Sequence, residues 1–464
     1  MIDNFYILTG WLSNSFLVAA TEAAAESDAD EGTLILAGVL LSLVIIYFAS
    51  KLGGEVCSRI NLPPVLGELV GGVLVGISAF HLLVFPESSA VEDSLIINML
   101  QSTAGLPTEA AQSVFASQSE VISLLSELGV IILLFEIGLE SDLKELIRVG
   151  PIAAVVAVVG VVAPFVAGTL GLIYIFNTPV IPAVFAGAAL TATSIGITAK
   201  VLAELGQLSS EEGQIIIGAA VLDDILGIVV LAVVASLVKT GEIQISNIIY
   251  LVISAAVFLI GSILVGRLVS PLIVGLVNEM KTRGQVLLTG LVFAFILSYI
   301  ATVINLEGIL GAFAAGLILA ETDKRKELEE QIIPVADFFV PIFFVCVGAK
   351  TDLSVLNPTV PSNREGLVIA AFLILVAILG KVITGFTVFG NPEINKLAIG
   401  VGMIPRGEVG LVFAGVGSAS GALSEATEAA IIVMVIATTF VAPPLLRLVF
   451  QEDDLPETVD KVQE

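Results

Sequence analysis

Residues 152–176 read IAAVVAVVGVVAPFVAGTLGLIYIF, twenty-five positions without a charged side chain. As a helix, a run of that length spans about 37 Å, more than the roughly 30 Å hydrocarbon layer of a bilayer. It does not alternate polar and apolar residues, as a barrel strand must. Comparable runs recur near 33–49, 62–84, 120–139, 180–205, 213–238, 246–269, 285–305, 308–320, 332–348, 366–389, 396–418 and 427–450. With 57% hydrophobic and only 14% charged residues among 464, no water-soluble core could hide this much apolar surface. The sequence predicts an all-α polytopic membrane protein with about thirteen transmembrane helices and the lipid bilayer as its surroundings.

The net charge of −25 sits mostly outside these runs, at residues 22–31, 87–93 and in the terminal QEDDLPETVDKVQE. Acidic clusters at solvated ends and loops call for no basic partner, and no nucleic acid is expected. The chain divides into residues 1–32, a leader or interfacial segment with an acidic linker; 33–450, the membrane domain; and 451–464, an acidic tail. Two cysteines, Cys57 and Cys346, are too few for a disulfide framework. The lone His81 lies near a span end and reads as an interfacial residue. Proton chemistry therefore falls to carboxylates; no cofactor and no enzymatic activity are expected.

Direction across the membrane follows from Lys and Arg in the loops and at span ends. One side carries 14 of the 19, among them Lys51, Lys144, Lys200, Arg267 and Arg447; the other carries Lys239, Lys350 and Arg364. Lys381 and Arg406 lie inside spans. The expected topology has the N-terminus outside and the C-terminus cytoplasmic, in the cell's inner (plasma) membrane or, alternatively, a thylakoid membrane.

Two spans are interrupted where a helix should be smooth. The fifth carries Thr191, Thr193 and Ser194 before Gly196; the twelfth carries Pro405, Arg406, Gly407 and Glu408. With span seven set aside as a linker, they hold matching places in two halves, the pattern of an inverted repeat whose broken helices form a transporter's binding site. Charges at membrane depth are rare and usually functional, and span six bears two adjacent ones, Asp223 and Asp224. Neighbouring helical residues point about 100° apart, so one can face a watery cavity while the other meets a cation. Lys381, alone in span eleven, supplies that cation. Glu136, at the end of span three, is a candidate partner for Arg406, with Glu408 the nearer alternative.

The LDD pair, TATSIGITAKVL, the LGK of span eleven, GMIPRGEVGL, LPPVLGELVGGVLVG and LLFEIGLESDLKEL together resemble the monovalent cation:proton antiporter-2 family, over residues 33 to 450. The adjacent aspartates are similar to those of its NapA-type sodium/proton antiporters. The resemblance implies sodium (or lithium) and protons as partners, a mobile ion-transport core moving against a dimerisation region, and a homodimer. It implies that Asp224 is the sodium- and proton-binding carboxylate, that Asp223 pairs with Lys381, and that Thr193 and Ser194 form the unwound crossing. Some relatives carry a carboxylate where Ser194 stands, so this site holds one charge fewer. Potassium/proton exchange of the Kef type is the alternative. A cation channel is a further one, although no filter-like TVGYG repeat is present. An intramembrane aspartyl protease would need its two aspartates on different helices.

A carboxylate holds either a proton or a hard cation. Burial raises its pKa and a nearby ammonium lowers it, which places exchange within working pH. If sodium also breaks the Asp223–Lys381 pair, two protons move per sodium and exchange is electrogenic.

Overall fold

The computed structural model describes residues 3–86, 89–240, 245–359, 361–389 and 394–451; within these ranges the side chains at 3–30, 235, 238–240, 247, 361–363, 408, 419 and 451 are left undescribed. The acidic tail from residue 452 onward lies outside the described residues, as do the side chains of the acidic run at 22–30. Apolar composition becomes helix at once, because only a helix satisfies every backbone N–H and C=O within its own segment in lipid.

Long helices carry most of the spans: α1 (Asp3–Arg59), then after α2 (Pro64–Val75) and α3 (Leu95–Thr103) come α4 (Thr108–Glu140) and α5 (Leu143–Ile175). The fifth span is split into α6 (Val180–Ala189) and α7 (Ile195–Glu204). There follow α8 (Glu211–Thr240), α9 (Ile245–Glu279), α10 (Gln285–Val303), α11 (Gly308–Ala320), α12 (Arg325–Ala349) and α13 (Pro361–Gly385). The twelfth span is again split, into α14 (Lys396–Gly402) and α15 (Glu408–Ala419), and α16 (Glu425–Gln451) completes the chain. Among the described residues, nine helices are long and apolar enough to cross a membrane. The other four expected spans correspond to α2, α11 and the two split pairs.

Three stretches differ from the sequence expectation, each for a local reason. The second apolar run leaves its helix at Gly76, where a Cβ would lie 2.4 Å from the Ala349 backbone. The chain then doubles back, with Leu82 and Leu83 donating to the Val75 carbonyl, and Leu83, Val84 and Phe85 are buried without being helical. His81 lies in this turn, in the left-handed region at φ 52. The unexpected α3 is amphipathic, burying Ile96, Ile97 and Leu100, and Ser94 caps it by accepting from Ile97 N. Helix α4 starts at Thr108 rather than 120, because its first half buries one face, with Ala111, Val114, Phe115 and Gln118, and Gln118 donates to Ser42 Oγ at 3.0 Å.

The helices pack as two bodies. In one, called the panel below, α1, α2, α4, α10, α11 and α12 pack on one another; in the other, the core, α5, α6, α8, α13, α14, α15 and α16 do so. The panel is assembled backbone to backbone. A Cβ on Gly138 of α4 would stand 2.4 Å from the Phe313 carbonyl of α11, and one on Gly72 of α2 would stand 2.3 Å from the Val345 carbonyl of α12. Small residues allow this close approach in lipid, where dispersion has to replace the hydrophobic effect. Helix α9 touches α8 on one side and α10 and α11 on the other, and so joins the bodies. Helix α7 packs against α8 of the core and against α2 and α4 of the panel.

Candidate functional site: a buried charge knot at the crossing of two broken helices

The two interruptions meet. Helix α6 ends at Ala189 and α7 begins at Ile195; α14 ends at Gly402 and α15 begins at Glu408. The extended residues between them satisfy one another across the crossing. Ser194 N donates to the Pro405 carbonyl at 2.8 Å, and Thr193 Oγ1 donates to the Met403 carbonyl at 3.1 Å. Thr198 Oγ1 donates to the Gly402 carbonyl at 3.0 Å. Gly407 is required here, because a Cβ would sit 2.8 Å from Ser194 Oγ. These bonds explain how unwound backbone survives at membrane depth: the partners that water would supply come from the opposite strand of the crossing.

Arg406 closes the crossing from one side. It is fully buried, and its Nη2 donates to the Leu190 carbonyl while Nη1 donates to the Met403 carbonyl. Both carbonyls lie just beyond the C-terminal ends of half-helices, where a cation is favoured by the helix dipole. Thr439 of α16 donates in turn to the Arg406 carbonyl.

Asp223 and Asp224 project from the middle of α8 and are 0% and 4% exposed. Lys381 of α13, also fully buried, donates from Nζ to Asp223 Oδ2 at 3.1 Å. Gly160 of α5 makes room for the ammonium, as a Cβ there would stand 3.2 Å from Nζ. Lys381 lies in the electrostatic field of Asp223, Arg406 and Asp224, and Arg406 in that of Asp223. Two carboxylates and two cations thus form one buried knot whose formal charges cancel. A cation that arrives must displace a charge of its own sign, since an uncompensated charge at this depth costs several kcal/mol.

One expected contact is corrected by the structure. Glu136 does not pair with Arg406. Its electrostatic neighbours are Lys200, Glu140 and Asp337, because Glu136 lies near the end of α4 while Arg406 is held inside the crossing. The Glu408 side chain lies outside the described residues. Sequence reasoning overlooked Thr198 and Thr439. Both are hydroxyls inside apolar runs, and their bonds to the crossing show only in the structure. Lys200 was counted only as a span-end cation. Among the described residues, no three His, Cys, Asp or Glu side chains come together as a metal-ion site. Both cysteines are free and buried.

Residues 38–452 match the family described as sodium/hydrogen exchanger, transmembrane. The chain is 75% identical over 438 residues to NhaS3 of Synechocystis sp., a high-affinity Na(+)/H(+) antiporter, with 94% of this chain and 95% of the relative covered. It is 31% identical to GerN of Bacillus cereus, a Na(+)/H(+)-K(+) antiporter, over 89% of this chain and 96% of the relative. Its fold is similar to that of the sodium proton antiporter MjNhaP1 from Methanocaldococcus jannaschii, with a TM-score of 0.59 at 17% identity, covering 91% of this chain and 99% of that one. With the matched region taking in both broken helices and the charge knot between them, this chain belongs to the sodium/hydrogen exchanger family of membrane transporters.

Proposed function

We propose that the chain exchanges sodium for protons across its membrane by alternating access, with Asp224 as the carboxylate that both ions share. The observation that carries this is the knot itself. With Asp223 and Asp224 ionised and Lys381 and Arg406 charged, the knot is neutral. Adding Na+ alone would leave a net buried positive charge. Release of the Lys381 proton restores neutrality, and the Asp223 oxygen that Lys381 had held becomes available to sodium. Where Asp224 starts protonated, the knot begins with one extra positive charge; loss of that proton together with the Lys381 proton as sodium arrives makes two protons per sodium, and exchange moves charge. Arg406 keeps its charge throughout and holds the crossing together, so Lys381 is the cation that can change. Thr193 and Ser194 supply neutral oxygens of the kind hard cations prefer.

The 75% identity to a sodium antiporter favours sodium over the Kef-type potassium alternative. The name of the 31% identical relative includes potassium as well as sodium, so potassium is the competitor to test. The expected assembly is a homodimer in the cell's inner (plasma) membrane, N-terminus outside and C-terminus cytoplasmic, with the thylakoid membrane as the other location; fractionation and side-specific labelling of single-cysteine variants test both. Function is tested with purified protein reconstituted into vesicles carrying a pH-sensitive dye. Proton release on adding sodium or lithium, and little on adding potassium, is expected. No cation-dependent proton release would refute antiport. Wild-type flux that ignores an imposed potential would refute the electrogenic cycle alone.

A further inference from the structure

On the Lys/Arg-rich side of the core, Asn395 stands directly before α14 and meets three helices at once. Its Oδ1 accepts from Ala398 N at 2.9 Å and caps α14. Its Nδ2 donates to the Val449 carbonyl at 2.9 Å, in the last turn of α16, where carbonyls have no partner within their own helix. Its backbone N donates to Glu212 Oε1 at 2.9 Å, in the first turn of α8. A fourth helix arrives beside them: Gly385, at the end of α13, lies so close that a Cβ there would overlap the Lys396 carbonyl. Each of these helices leads to the charge knot. Glu212 stands eleven residues before Asp223 on α8, about 16 Å along a helix. Val449 stands ten residues after Thr439 on α16, and Gly385 four after Lys381 on α13. Asn395 itself stands eight residues before Met403, whose carbonyl accepts from both Thr193 and Arg406.

We propose that Asn395 and Glu212 form a register clip, which fixes how far α8 stands along α14 and so sets the depth of Asp223 and Asp224 against the oxygens of the crossing. The inference rests on the sodium/proton reading above and makes both of them positioning residues for ion binding. The need for a clip follows from the cycle. Inside the knot, α8 is tied to α13 through the Lys381–Asp223 bond, and that is the bond sodium has to open. Aliphatic helix faces slide with little directional preference, whereas a hydrogen bond weakens steeply when it is misaligned. An ion site works only while its oxygens are held within about half an ångström of their places. The clip is built from groups that take no part in the exchange, so it keeps α8 in register while Lys381 is released. Its second arm, from Asn395 to Val449, holds α16 to the same reference point, and α16 carries the Thr439 that bonds to the Arg406 carbonyl.

The test reads sodium affinity and turnover separately, on the full chain in vesicles. Glu212→Ala removes the acceptor and should raise the sodium concentration for half-maximal proton release by about fivefold or more, with the maximal rate close to wild type. Glu212→Gln keeps an oxygen that can accept from Asn395 N and should restore the wild-type value. Asn395→Ser keeps a capping oxygen and loses the arm to Val449. It should shift half-saturation in the same direction, and it is the probe to use if Glu212→Ala does not fold. Half-saturation unchanged in a folded Glu212→Ala or Asn395→Ser would overturn the proposal, even if maximal rate and melting temperature fall, since that pattern is stability alone. Glu212→Gln behaving like Glu212→Ala would overturn it too. A wild type that releases no protons on adding sodium refutes antiport instead. The register is then read by hydrogen–deuterium exchange at Ser194 N, which is bonded to the Pro405 carbonyl. Glu212→Ala should speed that exchange and Glu212→Gln should not; equal rates in all three proteins would overturn the clip.

Discussion

Asp223 and Asp224 are chemically alike and positionally different: Asp223 is tied to the Lys381 ammonium at 3.1 Å, and its neighbour projects about 100° away around the same helix. Asp224→Asn keeps shape and hydrogen bonding and removes the exchangeable charge. Cation-driven proton release should fall to background in vesicles while the variant elutes and melts like a folded protein. Lys381→Gln should make exchange insensitive to membrane potential, or abolish it. If potential sensitivity persists in that variant, Lys381 is structural. Gly160→Ala would place a methyl group 3.2 Å from the Lys381 Nζ, displacing the ammonium by a few tenths of an ångström and lowering exchange rate more than thermal stability. The buried acids and Lys381 were legible in the sequence because charge inside an apolar run has few harmless explanations. Thr198 and Thr439 were not, since a threonine in a membrane helix commonly bonds to its own helix. The sequence also offered no way to tell that Glu136 would not reach Arg406, because depth along a helix does not fix azimuth against a partner.

At the scale of elements, the crossing is held by side chains that replace water for unwound backbone. Arg406→Gln would leave the carbonyl of Leu190 or Met403 unsatisfied and remove the knot's fixed positive charge. A loss of about 1–3 kcal/mol is expected for each buried polar group left unpaired, read as a lower melting temperature in detergent. Sequence patterning located both breaks to within a few residues, since Pro, Gly and polar residues cannot continue a smooth span. The turn at Gly76 was hidden, because the apolar residues after it are buried by folding back and so carry the same composition as a helix. At the other end of the linker, Arg267 of α9 grips Glu321, just past α11, with bonds of 2.7 and 2.8 Å. The guanidinium holds the Glu321 carboxyl below its ordinary value. Since the folded form is the more acidic, the stability this pair adds is present above the ordinary carboxylate range and fades as pH falls through the lowered value. Arg267→Lys, which loses the two-pronged geometry, should flatten that acid-side decline, as followed by melting at a series of pH values.

The whole molecule separates two kinds of joint. Within the panel, helices touch through backbone, as at Gly72 and Gly138, where an added methyl would overlap a carbonyl of the next helix. Between α7 and the panel, Gly196 meets the side chains of Phe343, Val130 and Leu133 at 3.4 to 3.8 Å from its would-be Cβ, an ordinary contact distance with room to slide. Gly72→Ala should therefore cost about 1–3 kcal/mol of stability and leave turnover per folded molecule near wild type. Gly196→Ala should do the reverse, shifting turnover with little change in melting.

Such a division has a mechanical meaning. A body stitched through its backbone is stiff, and a seam padded with side chains is compliant, so thermal energy that would be dissipated as general breathing is channelled into one degree of freedom. The temperature dependence of transport should then report the seam alone. Its activation enthalpy should change with substitutions along α7 and be indifferent to those that merely loosen the panel, up to the temperature at which the panel itself melts.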